Sequence, residues 1–381
     1  MERKVAIIDT LGAHGGAFHF YTFGQSMGLI NSGCDVSIYT NNETLDPKIS
    51  KLRFFSFYKN VFASKSRTVN GLQWILGSFQ SIVHARFSGI SVFHFHIFYT
   101  NILVLFNLLL VKLFFGKVVL TIHDVSSFSN NENSILTSNL VYKLADLLLT
   151  HNQFSRDEIV KKNAQSKNNI YIIPHGNYVP FINVQENKIK SRKYLNLPTD
   201  KTILLFFGMI KKVKGLDILL LSFKKVLEKN PNTVLLIAGK PWENDFTVYQ
   251  QIINKNNLSG DVILHTRFIP HADVEHYYCA SDLVVLPYKK IYQSGVLMMT
   301  LSYERPALVS NLPPLKEVLI DNENGFLFKS EDVNDLVKKL NLILSDKNNL
   351  KRVQKNGRIL INDKFSWDEI GILTKKAYQT L

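Results

Sequence analysis

The residues of this sequence that point most directly to chemistry are cations and glycines gathered beside helix starts. In "FFGMIKKVKGLDILL" a strand ends at Gly208, Lys211, Lys212 and Lys214 crowd the loop, and Gly215 opens an amphipathic helix. Ammonium groups beside a helix start make a site for a diphosphate, because aligned peptide dipoles add partial positive charge there. A solvated basic turn is the alternative, but it leaves the glycines at both ends unexplained. In "DLVVLPYKKIYQSGVLMMTL" a second strand ends at Pro287 and a helix opens at Ser294-Gly295, with Ser294 as N-cap and the first amides offered outward. Between Ile291 and Tyr303 there is no carboxylate, histidine or cysteine. That entrance is built to hold charge rather than to supply an acid or a base.

Three further loops follow strand ends. "LGAHGG" places Gly15 and Gly16 before a helix, where backbone amides can approach an oxyanion or a sugar; a plain tight turn reads equally well. It is not G-x-G-x-x-G, so the dinucleotide fingerprint is absent. "TIHD" ends a very apolar strand with His123 and Asp124, a position from which His123 can polarise a hydroxyl or accept a proton with Asp124 assisting. "IPHGN", Pro174 to Asn177, turns at glycine and suits either a hinge or a ligand contact. His94 and His96 share one strand face, but no third ligand at useful spacing completes a metal site, and no D-x-D pair is present.

Alternating strands and helices must position these loops. "KVAIID", "DVSIYT", "VFHFHI", "KVVLTIHD", "LLLTHN" and "IYIIPHG" read as strands of one series, with a helix from about Ala17 to Ser32 after the first. The chain breaks around Tyr178 to Pro198. A second series then opens with "TILLFFG" and continues through "TVLLIAG", "VILHTRF", "LVVLP" and "PALVS". This is the pattern of α/β structure with parallel sheets covered on both faces. We expect two doubly wound, Rossmann-like domains, residues 1–180 and 181–365, facing a central cleft at the carboxyl ends of their strands. "FSWDEIGILTKKAYQTL" is a last helix, and residues 366–381 are expected to return to the first domain.

The bulk numbers fit that division and narrow the partners. The chain has 381 residues, and its 45 basic against 31 acidic residues give a formal net charge of +14. Such a length suggests two domains, and such a charge an anionic partner. A nucleic acid is disfavoured because the basic residues are spread over both halves without a binding motif. Cys34 and Cys279 lie far apart, so neither a disulfide framework nor a zinc site is indicated. A reducing, cytoplasmic setting is expected. Met1 to Ile8 lacks the features of a signal peptide. Asn101 to Leu120 is the most apolar segment, but Lys112, Gly116 and Lys117 interrupt it, and it reads as a buried helix followed by a core strand rather than a membrane span.

"FFGMIKKVKGLDILL", "LLIAGKP", "ASDLVVLPY", "QSGVLMMTLSYERPALVSNLPPLKEVL", "ENGFLF" and the terminal "FSWDEI" together resemble glycosyltransferase family 4. The resemblance covers nearly the whole chain, is strongest from Thr202 to Phe328, and earlier rests on "GG", "TIHD" and "IPHGN". It implies a GT-B fold and a retaining transferase that needs no metal or other cofactor and takes a UDP-, GDP- or dTDP-linked sugar. Carried residue by residue, it implies His123 near the donor sugar and Lys211, Lys214, Ser294 and Gly295 on the leaving diphosphate. Gly15, Gly16, Gly208, Gly239, Phe268, Gln293 and Val296 complete the implied donor contacts. Glu317 falls on a family glutamate and either binds a donor hydroxyl or caps a helix. The family's paired-glutamate signature is missing, because its two positions fall on Ile291 and Met299. Glu304 stands where the family has glycine, and Met209 where it has arginine, with Lys211 two positions on.

The acceptor is expected on the first domain. "KLRFFSFYKNVFASKSR" carries Lys51, Arg53, Lys59, Lys65 and Arg67 among aromatics with no acid, and "NGLQWILGSFQSIVHARF" follows as a candidate amphipathic helix. That suits contact with the inner membrane surface and a glycan or polyprenyl-linked acceptor, as in bacterial surface polysaccharide assembly. A strand-and-loop pair with a solvated basic face is the plainer reading. The competing function class is a non-catalytic GT-B protein that binds a nucleotide sugar or partners an active transferase.

Overall fold

The computed structural model describes residues 3–16, 18–126, 135–162, 169–182 and 187–381. Expectations for Ala17 and for the part of the break at 183–186 lie outside them. The chain forms two compact units, one of Met1–Gly176 with Phe365–Leu381, the other of Asn177–Lys364.

In the first unit seven strands run parallel: β1 (Arg3–Asp9), β2 (Cys34–Asn41), β3 (Arg53–Tyr58), β4 (Val92–Ile97), β5 (Lys117–Ile122), β6 (Leu147–Thr150) and β7 (Ile170–Ile172). Their spatial order is β3-β2-β1-β4-β5-β6-β7. The central strands are near-continuous apolar runs, such as Val5 to Ile8 and Val118 to Leu120, all buried. Parallel strands need this because helices cover both faces. The helices are α1 (Phe18–Asn31), α2 (Arg67–Phe87), α3 (Ile102–Leu113), α4 (Ile135–Leu144) and α5 (Gln153–Lys162). From β1 the chain moves toward one edge through α1, and from β3 onward it moves toward the other through α2, α3 and α4. Right-handed crossovers therefore place α1 on one face and α2, α3 and α4 on the opposite one.

The second unit carries six parallel strands in the order β10-β9-β8-β11-β12-β13. They are β8 (Thr202–Phe207), β9 (Thr233–Ala238), β10 (Val262–His265), β11 (Leu283–Leu286), β12 (Ala307–Ser310) and β13 (Phe326–Phe328). Around them lie α6 (Lys188–Tyr194), α7 (Leu216–Leu227), α8 (Thr247–Lys255), α9 (His271–Ala280), α10 (Gly295–Ser302), α11 (Pro313–Lys316), α12 (Val333–Ser345) and α13 (Lys347–Asp363). One core of Leu204, Phe206, Leu219, Phe223, Leu235, Ile237, Val285 and Leu336 ties α7 and α12 to the sheet.

The last helix, α14 (Trp367–Tyr378), belongs to the first unit and lies against α1. Glycines let the two backbones meet: a Cβ added at Gly28 would fall 1.9 Å from the Trp367 carbonyl oxygen, and one at Gly371 would fall 2.0 Å from that of Gly28. The Trp367 ring fills space beside Gly24 and Gly176, where an added Cβ would lie 2.0 and 2.6 Å from it.

Some elements differ from the reading of the sequence. The edge strand β13 was not expected, and β3 falls in the segment for which a strand-and-loop pair was the plainer reading; both are short and carry few aliphatic residues. The polar stretch after Tyr178, read as a break, contains α6. Its Arg192 is buried, and the guanidinium is satisfied by the carbonyls of Ala280, Thr199 and Lys201 and by Asp282 at 2.8 Å. Helix α3 begins at the Asn101 cap, as its apolarity suggested, but it is buried on one side only; Ile102, Leu109 and Leu113 stand exposed. Among the described residues no helix is long and apolar enough to cross a membrane.

The α1–α14 crossing gives a test. Gly28→Val should destabilise the protein by about 2 kcal/mol or more through overpacking against backbone. Gly71→Ala, in α2 with open space around it, should be neutral or stabilising by up to about 1 kcal/mol. Urea unfolding followed by circular dichroism measures both.

Candidate functional site

In a doubly wound sheet the binding crevice opens where successive connections diverge, here beyond the carboxyl ends of β8 and β11 in the second unit. The loops leaving those two strands are locked together. Gly215 has a φ of +68°, and an added Cβ would lie 1.8 Å from the Pro287 oxygen. The Lys289 amide donates to the Val213 carbonyl at 2.8 Å. Lys214 Nζ sits 3.8 Å above the Tyr288 ring, and Lys289 Nζ donates to Asp217 Oδ2 at 2.6 Å. On the far side, Lys211 Nζ lies 3.9 Å from the Trp242 ring centroid. Gly239, with a φ of +143°, passes so close to Gly208 that a Cβ would lie 1.9 Å from its oxygen. A Cβ at Gly208 would touch Val296 at 3.3 Å, which brings the end of β8 to the start of α10.

Helix α10 opens as its sequence suggested. Ser294 Oγ accepts the Leu297 amide at 3.1 Å and the Ser294 carbonyl accepts that of Met298 at 3.2 Å. The amides of Gly295 and Val296 make no hydrogen bond among the described residues. Gln293 Oε1 is buried there without a partner among those residues. Ile291 and Met299 are both buried, so apolar packing occupies the two positions where the resemblance would place carboxylates. Thus Gly208, Lys211, Lys214, Gly239 and Gln293 to Val296 gather at one edge of the sheet. Phe268 stands exposed past β10, and Glu317 ends α11 on the surface past β12. Trp242, Tyr288 and Asp217, which hold the lysines, were missed. Of the three only Tyr288 had a signal, its place right after Pro287.

In the first unit the corresponding divergence lies between β1 and β4, and a cavity of about 590 Å³ opens there. Its walls include Phe18, Trp74, Phe98 and Tyr99, with Asp9, His96, Asn70 and Arg67 supplying polar groups. Asp9 accepts the Gly12 amide at 2.9 Å and the Thr22 hydroxyl at 3.0 Å, and burial pushes its carboxyl above the usual range. Of the basic set, Arg67 reaches this cavity, while Arg53 pairs with Asp35 at 2.6 Å. Gly15 and Gly16 turn their amides to the Leu11 and Ala13 carbonyls inside a 3-10 turn.

Beside the cavity the strand ends stack a histidine array. His96 Nδ1 meets His123 Nε2 at 3.1 Å, His123 Nδ1 meets His151 Nε2 at 3.0 Å, and His151 Nδ1 meets the Ile173 oxygen at 3.0 Å. Since a carbonyl only accepts, His151 carries its proton on Nδ1, and neutral rings then admit one order: His123 donates to His151, and His96 to His123. His96 Nε2, 3.0 Å from Gln25 Oε1, is left as an acceptor. The order closes when Gln25 turns its amide NH2 toward His96, and Gln25 Nε2 is otherwise without a partner among the described residues. Both nitrogens of His123 are thereby taken by histidines, so the expected help from Asp124 to its ring does not occur. His94 bonds the Tyr378 and Thr121 hydroxyls, each at 2.6 Å. The Tyr21 ring packs against His96, His123, His151, His175 and Trp367. Burial pulls His94 and His175 down to about 3 and His151 to about 4, and burial with the neighbouring rings holds His96 and His123 well below the ordinary value. Among the described residues no group of three or more His, Cys, Asp or Glu is arranged to hold a metal ion.

Residues 187–360 match the family model of glycosyl transferases group 1. A putative glycosyltransferase of Bacillus subtilis (strain 168), YtcC, is 21% identical over 281 residues, covering 70% of this chain and 68% of that protein. The capsular polysaccharide biosynthesis glycosyltransferase CapM of Staphylococcus aureus is 24% identical over 223 residues, covering 56% of this chain and 57% of that one. Among solved structures, Anabaena HepE in complex with UDP and glucose superposes with a TM-score of 0.77 at 15% identity, over 100% of both chains. Sucrose-phosphate synthase of Thermosynechococcus elongatus gives 0.73 at 18% identity, over 100% of this chain and 99% of that one. The fold is GT-B, and the family model and the sequence relatives support a glycosyltransferase.

The array makes stability depend on pH. Histidines of the unfolded chain take up protons near pH 6.5, while burial holds the folded rings neutral well below that, His151 down to about 4. Between those values the unfolded chain binds more protons, so stability is full above pH 6.5 and is lost as pH falls. Each such proton contributes about 1.4 kcal/mol per pH unit. Urea midpoints at pH 7.5 and 5.5 should differ accordingly; equal midpoints would mean that the folded array is already charged.

Proposed function

We propose that this protein is a retaining glycosyltransferase that moves a sugar from a nucleoside-diphosphate sugar to a hydroxyl of a glycan or lipid-linked glycan, at the cytoplasmic face of a membrane. The observation that carries this reading is the locked pair of loops after β8 and β11. They put Lys211, Lys214 and the amides of Gly295 and Val296, which make no hydrogen bond among the described residues, at one edge of a region that matches glycosyl transferases group 1. As the glycosidic bond breaks, positive charge grows on the sugar ring and negative charge on the leaving phosphate. Preorganised donors aimed at the phosphate lower that barrier without a metal, because they need no reorganisation during reaction. Aromatic faces under the two lysines fix where their charges sit. The cavity of the first unit, with aromatic walls and Arg67, suits a sugar acceptor carrying an anionic group. CapM, named for capsular polysaccharide biosynthesis, supports a surface-polysaccharide acceptor.

Buried Ile291 and Met299 favour one competing reading, a protein that binds a nucleotide sugar without turning it over. Nucleotide release from UDP-, GDP- and dTDP-sugars in the presence of a lipid-diphosphate glycan separates the two. Turnover is expected, and tight nucleotide binding with no turnover would remove the enzyme reading. Lys211→Ala should lower kcat/KM by about 10²-fold. Gly295→Trp should weaken nucleotide binding at least about tenfold, whereas Met299→Leu, a volume-conserving change, should alter it little. Equal small effects would show that the α10 entrance does not touch the donor.

A further inference from the structure

Helix α2 turns its inner side to β3 and lies next to α3. Its outer side carries Leu72, Leu76 and Phe79, which are 62%, 59% and 48% exposed. Helix α3 adds Ile102, Leu109 and Leu113 at 70%, 51% and 70%. Positions three, four and seven apart fall on one helix face, so each helix presents an apolar stripe to the outside. Stripes of this kind on adjacent helices mark an interaction surface.

The charges around it say what covers it. Between Asp46 and Asp124 the chain holds no acidic residue. Lys59 lies in the turn after β3, Lys65 just before the Ser66 cap of α2, and Arg67 on its first turn. All three are exposed and none makes an ion pair among the described residues. A second copy docked face to face would oppose like charges with no carboxylate to answer them. A bilayer with anionic headgroups meets both demands, since phosphates pair with the cations while the leucines and Phe79 enter the acyl boundary.

We infer that the outer face of α2 and α3 docks the first unit on an anionic lipid bilayer. The first turns of the same two helices supply Arg67, Asn70, Trp74, Asn101 and Val104 to the cavity, on other sides of those helices than the exposed stripes. Delivery of a lipid-linked acceptor from that bilayer to the cavity rests on the function proposed above, whereas the docking itself does not.

Sedimentation of the full chain with phosphatidylglycerol/phosphatidylcholine vesicles tests this against pure phosphatidylcholine vesicles. Binding is expected with the anionic vesicles and should fall as salt rises. The double variant Leu72→Glu/Leu76→Glu should lower partitioning about tenfold or more. Lys59→Ser/Lys65→Ser should lower it about tenfold as well, and stands in if the first variant fails to fold. Leu342→Glu, an equally exposed position in the second unit, should leave it unchanged. Equal binding to neutral vesicles, no binding at all, or a dimer in light scattering that the leucine variant splits would overturn the inference. Nucleotide titration of the same samples keeps the two readings apart: vesicle binding lost with nucleotide binding kept removes the docking alone, and the reverse removes only the donor site.

Discussion

The Trp367 ring occupies space that Gly24 and Gly176 leave empty, and the rest of the first unit is arranged around that contact. With the ring in place, α14 lies backbone to backbone with α1 through Gly28 and Gly371, and Tyr378 reaches the His94 ring. Tyr21, packed on the same tryptophan, forms one wall of the histidine array. The final segment of the chain is therefore part of the first unit's interior, and the array lies buried except at His96, which reaches the cavity. Dry imidazoles stay neutral, and neutral imidazoles in series can hydrogen-bond one another in a single proton order.

The second unit handles charge differently. Its loops after β8 and β11 hold cations, and they are fixed by contacts among themselves: Gly215 under Pro287, Lys214 over Tyr288, and Lys289 between Val213 and Asp217. The α10 entrance contributes backbone amides and a serine cap, and Ile291 and Met299, the two positions where the resemblance would place carboxylates, are buried. Under the proposed function, such a site stabilises negative charge by position alone. It needs rigid loops for that, since an ammonium group that wanders in water contributes little.

Much of this was legible beforehand for a physical reason. A parallel strand covered on both faces has to be an unbroken apolar run, so "KVAIID", "KVVLTI" and "TILLFF" announce themselves, and two doubly wound α/β units follow from their alternation with helices; the GT-B arrangement was what the family resemblance implied. Glycines at strand ends and a serine before "GVLMM" mark loops that only backbone can fill. The less legible elements were those whose identity depends on a neighbour. Strand β3 is an aromatic and basic run until β2 pairs with it. The polar "KIKSRKY" becomes a helix with a buried arginine because Asp282, ninety residues later, meets it. The apolar α3 looks like a core helix, yet half of its surface faces outward.

By itself, then, the sequence determined which segments are strands, where their loops turn, and that cations collect at two helix starts of the second half. These are local matters, set by periodicity, capping and steric freedom. Only the tertiary structure decided that His96, His123 and His151 join nitrogen to nitrogen, that Lys211 and Lys214 rest on Trp242 and Tyr288, and that leucines of the neighbouring helices α2 and α3 stand in the open. Those outcomes depend on the order of strands in the sheet, which brings distant residues together and which no local pattern encodes.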